Sequence, residues 1–76
     1  MTDVNNNELH VGNYVKFKDS GEFDFMNARN GVVINLEERQ ADGVVIEHTN
    51  GIQTWKFPYN VRLMTDDEKM LFILER

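Results

Sequence analysis

Asn50-Gly51, set between the apolar run Val44-Val45-Ile46 and the segment Ile52 to Phe57, restricts this chain more than any other feature. Asn-Gly supplies the positive φ angles that a tight turn between twisted strands demands, so the flanking segments must lie side by side, antiparallel. Two further strands are predicted upstream. Asn13-Tyr14-Val15-Lys16-Phe17-Lys18 alternates as a half-buried strand should, and Asn30-Gly31 introduces Val32-Val33-Ile34-Asn35-Leu36. Downstream, Pro58 cannot donate to a ladder, so Pro58-Tyr59-Asn60 is expected to make a single turn before a short last strand over residues 61–64.

The alternation also predicts an interior. Val11, Val15 and Phe17, then Val32, Ile34 and Leu36, then Val44 and Ile46, then Trp55 and Phe57, and finally Val61 and Leu63 are expected to face inward. Residues 1–8 are polar and Asn-rich, with too little apolar surface to offset the entropy of ordering, and are expected to be a disordered tail. The domain proper is expected over residues 9–64.

Thr65-Asp66-Asp67-Glu68 has the spacing of a capping box, which starts a helix at 66 that runs to about residue 75 within a C-terminal segment 65–76. At 100° per residue Met70, Leu71, Ile73 and Leu74 share one arc, so Leu71 and Leu74 are expected to pack on the sheet. Phe72 then falls among Glu68, Lys69, Glu75 and Arg76, and is the residue out of place.

At 76 residues and without cysteine, the chain makes one domain that must rely on packing or on a partner. No apolar run reaches the roughly 20 residues a bilayer needs, so a soluble, cytoplasmic protein with no membrane partner is expected. Eight basic against thirteen acidic residues give a net charge of −5, which disfavours long-range attraction to phosphates. His10 and His48 are the only histidines and Ser20 the only serine. That leaves no nucleophile–base pair and no metal-ligand set, so neither catalysis, nor a metal, nor a cofactor is expected.

The segments Val11-Gly12-Asn13-Tyr14-Val15-Lys16-Phe17, Gly31-Val32-Val33-Ile34 and Trp55-Lys56-Phe57-Pro58-Tyr59-Asn60-Val61-Arg62-Leu63 resemble the small SH3-like barrels of the KOW and Tudor type. The resemblance covers residues 9–64 and implies an all-β fold, a five-stranded antiparallel barrel with a short C-terminal helix added. It also implies a binding module, since such barrels hold nucleic acid, proteins of the transcription and translation machinery, or modified side chains in aromatic cages. This chain is more acidic than KOW-type nucleic-acid binders.

Two sets of side chains are therefore candidates. Phe72, Phe23, Phe25 and Tyr59 could meet another protein, either a basic partner steered by the surrounding acids or a second copy docked through the C-terminal helix. Phe23 and Phe25 alternate onto one side of their loop, where they could equally form a small satellite core. Lys16, Lys18, Arg29, Lys56 and Arg62 could instead form a basic stripe interleaved with Tyr14 and Trp55, the pattern for a nucleic-acid binder. Between these, a small acidic protein-binding adaptor or regulator is the simpler reading.

Overall fold

The computed structural model describes residues 1–75; Arg76, the last residue of the expected helical segment, lies outside the described residues. Five antiparallel strands form one sheet: β1 (Tyr14–Phe17), β2 (Arg29–Glu38), β3 (Asp42–His48), β4 (Gln53–Lys56) and β5 (Val61–Leu63). A 3₁₀ turn, Pro58–Asn60, links the last two strands, and one helix, α1 (Asp66–Leu74), follows. The order across the sheet is β4-β3-β2-β1-β5.

The hairpin between β3 and β4 forms where Asn-Gly predicts it. Gly51 donates to the His48 carbonyl at 3.0 Å and His48 donates to that of Ile52 at 2.8 Å. With Gly51 at φ 87° this is a three-residue turn whose last residue sits in the left-handed region.

The sheet is not closed into a barrel, contrary to the sequence expectation. β4 and β5 lie at opposite margins, and the position beside β5 that a closing strand would take is already occupied. There Val4 donates to the Val61 carbonyl at 3.0 Å, and the Leu63 N–H donates to the Asp3 carboxylate at 2.8 Å. Residues 1–8 are thus part of the packed structure rather than a disordered tail. Asp3 is buried, and its other oxygen accepts from the amides of Asn5 and Asn7.

The core comprises Leu9, Val15, Phe17, Val33, Val44, Ile46 and Val61, with Met1, Leu36 and Leu63 packed against it. Val15, Phe17, Val44, Ile46, Val61, Leu36 and Leu63 were legible from alternation. The assignments of β2 and of the segment before β1 are corrected first. Val11 is exposed and Leu9 takes its place inside. On β2 the inward residues are Gly31 and Val33, while Val32 pairs across from Tyr14 and Glu47 on the outer face. A register shift between Val33 and Asn35 then makes Ile34 the extra residue of a bulge and returns Leu36 to the core side. Gly31 leaves room there, since a Cβ would collide with the Ile46 side chain.

On β4 the facing is reversed altogether. Thr54 lies opposite Ile46 and Lys56 opposite Val44, so these two share the core face, and Trp55, opposite Val45, lies outside. Trp55 and Phe57 are accordingly exposed.

Candidate functional site

The orientation of α1 follows from four residues of one helix face. The Thr65 hydroxyl accepts from the Glu68 amide while the Glu68 carboxylate accepts from that of Thr65, which fixes the first turn. The same carboxylate receives both terminal nitrogens of Arg62, at 2.8 and 2.9 Å, and Arg62 belongs to β5. This bidentate pair ties the helix start to the sheet and lowers the Glu68 pKa to about 2. One turn on, the Lys69 ammonium stands 5.3 Å from the centroid of the Tyr14 ring, and Phe72 meets the same ring edge-on.

Phe72 is therefore buried, at 5% exposure, and is not the solvent-facing contact residue its helical position suggests. Leu71 and Leu74, expected inside, are outside. With Glu68, Lys69 and Phe72 turned to the sheet, Met70, Leu71, Ile73 and Leu74 are 63%, 60%, 47% and 75% exposed. Met70, Ile73 and Leu74 line a shallow apolar depression bordered by Asp66 and Lys69. Periodicity identifies this arc correctly, but it cannot say whether the arc faces the protein or the solvent.

The other aromatic candidates separate. Phe23 is fully exposed, whereas Phe25 is half-buried beneath two cations, Lys18 at 5.6 Å and Arg62 at 5.7 Å from its ring centroid. The two rings of this loop thus share neither an exposed cluster nor a satellite core. Tyr59 is exposed and stacks on Phe57 with ring planes 7° apart, and Phe57 in turn meets Trp55 edge-on at 4.7 Å. This row of three rings was missed, because Trp55 and Phe57 read as core. Gly43 accommodates the first of them, since a Cβ at that position would overlap the Trp55 indole.

The basic candidates are largely engaged by acceptors of the protein itself. Asp19 accepts from Arg29 at 2.8 Å and from Lys56 at 2.6 Å through one oxygen, and the lysine hydrogen bond, with the charge of both cations, lowers its pKa. Arg62 is held by Glu68. Lys18 donates to the Glu22 carbonyl and to the Asn60 side chain. Lys16 alone of the five has no such bond among the described residues, and it lies between Asn30 of β2 and Arg62 of β5. The stripe is present as a set of positions but not as a field of free charge.

His10 is exposed, and the half-buried His48 meets the core residue Phe17 edge-on at 4.8 Å. Among the described residues no three His, Cys, Asp or Glu side chains converge, and no helix is long and apolar enough to cross a membrane. Comparison with family models, with curated proteins and with solved structures gives no match.

Proposed function

We propose that this domain is a non-catalytic interaction module, an acidic adaptor or regulator that docks a partner protein on the outward face of α1. The observation that carries this reading is the exposure of Met70, Leu71, Ile73 and Leu74 on a helix already anchored by Phe72. Contiguous apolar surface of this kind is uncommon on a small domain unless something covers it. Burying each half-exposed side chain would contribute on the order of 1 kcal/mol before the cost of association.

Charge selects the kind of partner. Asp66, Asp67 and Glu75 outnumber Lys69 around the apolar arc, and the whole chain carries −5, so two copies approaching through this face repel one another. A different protein that presents an apolar surface with a basic rim fits both terms, and the second copy is the less favoured occupant.

A photoactivatable residue placed at Met70 would capture what lies against this face in native lysate. The captured partner, once purified, should bind the intact chain with an affinity that falls at least tenfold on Leu74→Asp and weakens with salt. An unchanged affinity would remove α1 as the docking surface, and a stable dimer dissociated by Leu74→Asp would replace the heterologous partner with a second copy.

A further inference from the structure

The two margins of the sheet are treated differently. That of β5 is covered by Asp3 and Val4, as described above, whereas among the described residues β4 pairs only with β3, and the N-terminal segment approaches it no nearer than the depression that Thr2 and Val4 share with Phe57 and Tyr59. The His48 to Ile52 hydrogen bond sets the phase of the β3–β4 ladder. Antiparallel alternation then directs the backbone N–H and C=O of Gln53 and Trp55 away from β3, toward the open side. Trp55 and Phe57 stand on the outer face of this strand, with the Trp55 indole leaning over Gly43 of β3 and Tyr59 stacked on Phe57.

The charge beside the row is mostly of one sign. Glu37 lies next to Trp55, with Arg39 on the same turn, and Asp42 lies next to Phe57 and Tyr59. Glu38 and Asp42 face one another across the β2–β3 ladder and are partly offset by the Met1 ammonium, so that with Glu37 the acids here outnumber the cations, Arg39 and Met1, by three to two.

We propose that the open margin of β4 takes an extended, arginine- or lysine-bearing segment of a partner protein as a sixth strand. Main-chain hydrogen bonds to Gln53 and Trp55 would hold such a segment, as in other additions of a strand to a sheet edge. Its alternate cationic side chains would lie over the aromatic row, where ring faces attract cations, and reach Glu37 and Asp42. A second copy of β4 cannot supply those charges, because the residues it carries on the outer face, Gln53 and Trp55, are uncharged. This site is separate from the face of α1 and does not depend on it.

The test is titration of the intact chain with a short acetylated peptide alternating arginine and threonine, against the same peptide with glutamate for arginine. Trp55, the only tryptophan, reports binding by fluorescence, and amide chemical shifts locate it. The arginine peptide should saturate, bind at least tenfold tighter than the glutamate peptide, and shift the amides of Gln53 and Trp55. Gln53→Pro removes one outward donor while sparing the ladder to β3, and should weaken binding about tenfold, as should Trp55→Ala; Leu74→Asp should leave it unchanged. No saturation at millimolar peptide, equal binding of both peptides, shifts confined to α1, or indifference to a folded Gln53→Pro would each overturn the proposal.

Discussion

The ring of Phe72 meets that of Tyr14 edge-on, with centroids 5.6 Å apart and planes inclined at 65°, and this contact determines which side of α1 the molecule presents. A buried aromatic stabilises through its area and its ring geometry together. Phe72→Ala should therefore cost about 3 kcal/mol, while Leu74→Ala, on the exposed side, should change stability by no more than about 0.5 kcal/mol. Urea unfolding of the two variants measures both. Equal losses would mean that the helix presents its other face.

Beside the Val4 to Val61 hydrogen bond, the margin of β5 is held by one carboxylate. Asp3 accepts from three backbone amides, those of Asn5 at 2.9 Å, Asn7 at 2.8 Å and Leu63 at 2.8 Å. Replacing it by alanine leaves those donors without their acceptor in a partly buried place, at a cost of about 2–4 kcal/mol. The Leu63 amide should then exchange with deuterium faster than those of Val44 and Ile46 at the centre of the sheet. Unaltered protection at Leu63 would show that the N-terminal residues do not cover that margin.

Glu68 predicts a pH dependence with a definite sign. Its pKa is about 2 in the folded protein, chiefly because Arg62 donates to its carboxylate, against an ordinary 4.5. A depressed carboxylate pKa contributes stability that is fully present above the ordinary value and is lost as pH falls from there through about 2. Discounted for solvent screening, that contribution is about 1–2 kcal/mol. Glu68→Gln should be less stable than the parent by about that amount at pH 6, and the gap should close toward pH 2. A gap independent of pH would assign the loss to the helix cap alone.

The parts of this fold that sequence made legible are those fixed by local chemistry. Asn50-Gly51 sets its hairpin, Thr65 with Glu68 starts α1, and the alternation of Val15 with Phe17 places β1. What sequence obscured depends on partners distant in the chain. The bulge at Ile34 rephases β2, which alternation read as one uninterrupted strand. Trp55 suits a strand whichever face it occupies, and only its register against Val45 puts it outside. The apolar arc of α1 was visible, but its direction follows from Arg62, Tyr14 and Phe72. For the candidate site the consequence is an exchange: Phe72 moves inside, and its helical neighbours become the surface.

Asp19 provides the sharpest separation between a protein-binding and a nucleic-acid-binding domain. One of its oxygens holds both Arg29 and Lys56, two of the five cations that a phosphate backbone would need. Asp19→Asn removes the charge that retains them without changing the size of the side chain. If acids are what silence the basic positions, the parent should bind single-stranded RNA or DNA weakly even at low salt. The variant should bind severalfold tighter, with a salt slope steeper by roughly one to two phosphate contacts. Tight binding by the parent at physiological salt, unaffected by Asp19→Asn and abolished by Lys16→Ala with Lys18→Ala, would mean that the ion pairs open to admit phosphate. Polyanion recognition would then displace the proposed docking on α1.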